Sequence, residues 1–76
     1  MPRLKANPQQ VADQLHAQTI PDLEGALDSI DSILEQELSA GIVRNLLGGK
    51  KEMVKALGSL KAAYAVASVE AQEGQG

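Results

Sequence analysis

The sequence predicts an all-α fold: an antiparallel helical hairpin over about 21–40 and 42–71, with a short N-terminal helix over 8–18, together a small three-helix bundle. Three observations predict it. Leucine-rich apolar residues recur at helical spacing through both long segments. Residues 22–37 hold six acids (Asp22, Glu24, Asp28, Asp31, Glu35, Glu37) and no base. Residues 44–61 hold five bases (Arg44, Lys50, Lys51, Lys55, Lys61) and one acid, Glu52. Two amphipathic segments of opposite charge, separated by a short turn, are suited to pack on each other.

The first helix is predicted to start at Asn7-Pro8. Asn is a good N-cap, and Pro at the first helical position loses no hydrogen bond there. Val11, Ala12 and Leu15 give this segment a short apolar face, and Gln9, Gln10, Gln14 and Gln18 give it an uncharged polar one. Thr19-Ile20-Pro21 is expected to break it and start the second helix, with Pro21 and Asp22 in a favourable first turn. Leu23, Leu27, Ile30, Leu34 and Leu38 then fall within about 80° of arc. Gly25 is an interior glycine that costs about 1 kcal/mol against alanine. Ser39-Ala40-Gly41 is expected to end the helix, with Gly41 as its left-handed terminal residue.

The third segment is expected to begin at Ile42 and to place Leu46, Leu47, Met53, Val54, Leu57, Leu60 and Tyr64 on one face. Its phase is kept across Gly48-Gly49, which favours one helix. Two interior glycines cost roughly 2 kcal/mol, so a kink at the pair is the competing expectation. Residues 1–6 and 72–76 are expected to fray. No linker divides the chain, so residues 1–76 read as a single small domain.

Composition narrows the function classes. A chain of 76 residues buries only about 60 % of its unfolded surface, which favours a partner or a homo-oligomer that completes its core. There is no cysteine, so disulfides and thiolate metal sites are excluded, and Tyr64 is the only aromatic residue. The net charge of −3 argues against a general nucleic-acid binder. No N-terminal apolar run suggests a signal peptide, and no window reads as a membrane span. The expected setting is cytoplasmic, or host cytoplasm or virion if the chain is phage-encoded.

The charged residues form columns. Glu24, Asp28, Asp31 and Glu35 stand at i, i+4, i+7 and i+11, and Arg44, Lys51 and Lys55 repeat that spacing with Gly48 in the vacant slot. A turn near 40–42 would bring Asp31 near Lys51, Asp28 near Lys55 or Val54, and Glu37 near Arg44. Such pairs would fix topology more than stability. The sharper alternative leaves one column free for a partner of opposite sign. Lys50 falls within the apolar arc and is expected to snorkel to its edge or mark an opening of the hairpin.

No catalytic chemistry stands out. Gly48-Gly49-Lys50-Lys51 lacks the upstream glycine and the following Ser or Thr of a phosphate loop. A weaker anion site from Lys50, Lys51 and Lys55 near a helix break remains open. Asp28, Asp31 and Glu35 lack the wrapping loop of a calcium site. His16 reads as a surface or rim histidine, and no serine or threonine has a base beside it. A helix-turn-helix reading of the 38–44 turn would set a long acidic helix against the phosphate backbone. Neither a cofactor nor a metal is implied, and an enzyme is not expected.

The least explained segment is 62–69. Ala62, Val66 and Val69 form a second apolar stripe, away from Leu57, Leu60 and Tyr64, so that the helix is apolar nearly all round. Either the first helix covers this stripe or another chain does. The partner-binding candidates are therefore Tyr64, Val66, Val69 and Ala62. The anion or nucleic-acid candidates are Arg44, Lys50, Lys51 and Lys55. The expected function is a non-catalytic protein–protein interaction module: an accessory factor, inhibitor or minor subunit of a larger assembly, of the kind phages and plasmids encode. It would act through a helical face or by self-association. The competing function is a nucleic-acid-binding accessory protein using the basic 44–61 helix.

Overall fold

The computed structural model describes residues 7–75 and is all-helical. The chain order is α1 (Pro8–Gln14), a π-helical stretch (Leu15–Thr19), α2 (Ile20–Leu34) and α3 (Ala40–Gln75). Asn7 caps α1 as its residue type predicts: its side-chain oxygen accepts from the Gln9 backbone N–H at 3.0 Å.

The expected break before Pro21 does not occur. Gln14, Leu15, Thr19 and Ile20 all keep right-handed helical φ and ψ. The stretch widens instead, so that the Ile20 N–H donates to the Leu15 carbonyl, five residues back. An interior proline lacks an N–H, and its ring presses on the carbonyl four residues earlier. A π turn just ahead of Pro21 accommodates both defects without ending the rod. Residues 8–34 thus run on as one interrupted rod, and α1 continues α2 instead of folding back beside it.

The turn also differs from expectation. The helix ends at Leu34 rather than near residue 40, with a tightened last turn in which Glu35 and Gln36 donate to the Ser32 and Ile33 carbonyls. Ser39 opens α3 instead of closing α2. Its hydroxyl accepts from the Ile42 N–H at 3.3 Å, and its carbonyl accepts from the Val43 N–H at 3.1 Å. This is the position serine favours, since its oxygen satisfies an otherwise orphan N–H. Gly41 therefore lies in the first turn of α3. No described glycine has positive φ, so Gly41 is not a left-handed cap.

α3 runs without a break through Gly48-Gly49 and on to Gln75. The phase of the apolar face prevails over the glycine cost. Residues 1–6 and 76, where fraying is expected, lie outside the described residues. At 1.5 Å per residue, the 36 residues of α3 account for the 55 Å long dimension of the Cα trace, which measures 55 × 27 × 15 Å. The radius of gyration is 16.8 Å, against about 11 Å for a compact domain of this length.

The two rods pack antiparallel, with α1 and α2 both against α3. Two contacts set the register. Lys50 Nζ and Asp31 Oδ1 form an ion pair at 2.6 Å. His16 stacks on Tyr64 with ring centroids 5.6 Å apart. The register lies one residue from the expected Asp31–Lys51 pairing. The buried residues are Ala12, Ala67 and Ala71, all at the open end of the hairpin. Among the described residues no side chain larger than alanine is buried, and the leucine stripes are only half covered. One helix packed on one other covers one side of each stripe, so the hairpin is a single layer with two broad sides.

Candidate interaction surface

The buried stripe of α3 consists of half-covered Val43, Leu46, Met53, Leu57, Leu60 and Tyr64. Leu47 and Val54 were expected on this face, but they lie about 80–100° round the helix from its centre. They are 50 % and 52 % exposed. Val66 and Val69 are 57 % and 53 % exposed, and Ala62 is exposed as well. The N-terminal rod does not cover this second stripe. It packs on Ala67 and Ala71, along the line of the first stripe. Tyr64 differs from the other three candidates: it is half-buried inside the hairpin against His16. That stack has no signal in the sequence, since His16 and Tyr64 are distant along the chain and meet only once the register is set.

Two shallow apolar grooves flank Val66. One, of about 420 Å³, is lined by Pro8, Val11, Ala63, Val66, Ala67 and Glu70, where α1 meets the far end of α3. The other, of about 320 Å³, is lined by Ala65, Val66, Val69, Glu70 and Glu73 on α3 alone. Val66 is the ridge between them, so a partner seated in either groove touches it. Val11 in the first groove was not anticipated, because the expected helix break left the direction of α1 open.

The charge columns are mostly unpaired. Among the described residues, Lys50–Asp31 is the one ion pair. The expected partners Asp31–Lys51 and Glu37–Arg44 are not joined. Lys50 snorkels from the half-buried edge of the apolar arc to reach Asp31, as a long aliphatic stem allows. Glu24, Asp28 and Glu35 on the first rod, and Arg44, Lys51, Lys55 and Lys61 on α3, are exposed. Among the described residues, no three acidic or histidine side chains converge as metal ligands do. No described helix is long and apolar enough to cross a membrane.

The ion pair shows on which broad side each column lies. On α2 the acids Glu24, Asp28, Asp31 and Glu35 sit about 70–130° from the centre of the buried stripe. On α3 the order round the helix, moving the same way, is Lys50, then Val54, Leu47 and Ala65 at about 80–100°, then Lys51, Val69, Arg44 and Lys55 at about 140–180°. Because Lys50 and Asp31 touch, these two series share one broad side of the hairpin. That side carries an acidic column along α2 and a base-flanked apolar stripe along α3. The opposite side carries small residues, among them Ala26, Ser29, Gly49, Ala56 and Ala63, together with exposed Ile33 and Ile42, the acids Asp22, Glu52 and Glu70, and the groove lined by Val11 and Ala63. Compared with known proteins, the chain matches no family model, no curated protein and no solved structure.

Proposed function

We propose that this chain is a non-catalytic interaction module, an accessory factor, inhibitor or minor subunit that docks through the outward face of α3. One observation carries the reading. A hairpin whose buried residues are all alanine leaves Leu47, Val54, Val66 and Val69 half exposed or more, and such a run of apolar groups marks an interaction surface. A cytoplasmic setting belongs to the same reading. The test replaces Val66 and Val69 with Glu and uses the tagged chain to capture partners from its source cells. Helicity should be retained, since both positions are exposed, and specific capture should be lost. Unchanged capture by the doubly substituted chain would remove the α3 face from consideration.

A second reading rests on a separate observation, the exposed and unpaired Arg44, Lys51 and Lys55 along α3. A nucleic acid lying on these residues would give a gel shift that weakens steeply with salt. The acidic column on the same broad side, together with the net charge of −3, opposes that occupant. Absence of any shift at low salt would end this reading.

A further inference from the structure

We infer that the occupant of the charged broad side is a second copy of the chain, stacked so that α2 of each copy lies on α3 of the other in an antiparallel four-helix bundle. This rests on the interaction-module reading above and names its partner.

Two hairpins can be stacked face to face about a two-fold axis in two ways. An axis across the helices puts α2 on α2 and α3 on α3. That sets the column Glu24, Asp28, Asp31, Glu35 against its own copy, and the bases against theirs. An axis along the helices puts α2 on α3 of the other copy, antiparallel to it. Acid then faces base in both halves of the interface, as an isologous contact requires. Like charges facing each other are disfavoured and opposite charges select the register, so the second arrangement is chosen.

Rotation about an axis along the helices leaves every residue at its own height. The levels between copies are therefore those already set within one chain. Counting along both rods from the Asp31–Lys50 pair, Asp28 is level with Met53, between Lys51 and Lys55. Glu24 is level with Leu57, within a turn of Lys55 and Lys61, and Glu35 is level with Leu46, half a turn from Arg44. Glu24, Asp28 and Glu35 thus each lie within about a turn of an unpaired base of the other copy, without any sliding. The apolar stripe of Leu47, Val54 and Ala65 is covered in the same step.

The area suffices. Two helices side by side are about 20 Å wide, and the first rod from Pro8 to Leu34 is about 40 Å long. The broad side therefore covers about 800 Å², which is what each partner gives to a standard stable interface.

The test is charge-swap complementation read by sedimentation equilibrium on the full chain. Wild type should be dimeric at micromolar concentration and weaken as salt rises. Variant A carries Glu24→Lys and Asp28→Lys, and variant B carries Lys51→Glu and Lys55→Glu. Both keep the Asp31–Lys50 pair, and circular dichroism checks that each stays helical. Each swap is worth on the order of threefold and occurs in both halves of the interface, so each variant alone should dimerise about a hundredfold more weakly. Mixing A with B should restore a one-to-one dimer, because both halves then pair opposite charges. A single chain carrying all four swaps should dimerise as well, which keeps the test decisive if either separate variant folds poorly. A monomeric wild type, A and B as tight as wild type, or failure of the mixture and of the four-swap chain would each overturn the inference. A monomeric wild type that still captures a partner in a Val66-dependent way would leave the broader module reading standing.

Discussion

Replacing Gly48 and Gly49 with alanine should stabilise the protein substantially. Both lie inside α3 with helical φ, and a Cβ built at either meets no atom within 4 Å. Nothing opposes the usual gain from restricting the unfolded chain and improving helix propensity, about 0.4–1 kcal/mol per site. The pair should therefore add about 1–2 kcal/mol. Unfolding entropy near the midpoint is about 2.1 cal/mol/K per residue, which for 76 residues comes to about 160 cal/mol/K. Each kcal/mol then raises Tm by about 6 °C, and the double variant should melt about 6–12 °C higher. The assay is a circular-dichroism melt at fixed protein concentration. Gly25→Ala is a control at an equally open site on the other rod, and its gain should add to that of the pair. An unchanged or lowered Tm for the pair, with Gly25→Ala behaving normally, would show that α3 needs a glycine conformation at 48–49 and is not one continuous helix.

Three further outcomes follow from the same geometry. Ala67→Leu, at a buried position where the helices meet, should cost about 1–3 kcal/mol in urea unfolding, while Ala62→Leu on the exposed face should stay within about 0.5 kcal/mol; equal effects would mean that Ala67 is not at the interface. A double-mutant cycle on Asp31 and Lys50 should give a coupling below about 1 kcal/mol that shrinks with salt, and a salt-insensitive value above about 2 kcal/mol would contradict the exposed geometry. If a second copy completes the structure, Tm should rise by about 4 °C for each tenfold increase in concentration, from RT ln 10 divided by the unfolding entropy of two chains. A melt independent of concentration would argue against it.

The helical class and the hairpin were legible in the sequence because they rest on periodicity, which local composition does not hide. The continuity of α3 was legible for the same reason: the apolar phase across Gly48-Gly49 outweighed the propensity of two residues. The errors came where one residue admits two roles. Pro21 reads as a helix start when the next helix is considered and as a break when the preceding one is, whereas a π turn lets it be neither. Ser39 reads equally as the end of α2 or the cap of α3, and only the direction of its hydroxyl decides. Leu47 and Val54 were assigned to the buried face because a wide apolar arc does not say where a single neighbouring helix stops covering it. Val66 and Val69 were legible as a second stripe, but whether α1 covered them depended on the unread turn at 15–21.

The segregation of charge along the two rods gains little within one chain. Among the described residues a single exposed ion pair joins the rods, and pairs of that kind contribute at most about 1 kcal/mol. Shuffling the acids and bases between α2 and α3 would leave the half-covered leucine stripes, and so the hairpin, intact. What shuffling would destroy is self-complementarity. One acidic rod beside one basic rod makes a surface that attracts a copy of itself when turned about the long axis and repels it when turned about the short one. The chain's thin alanine core and its sorted charges are then two sides of one arrangement: the first leaves a broad apolar side to be covered, and the second specifies what covers it and at what height.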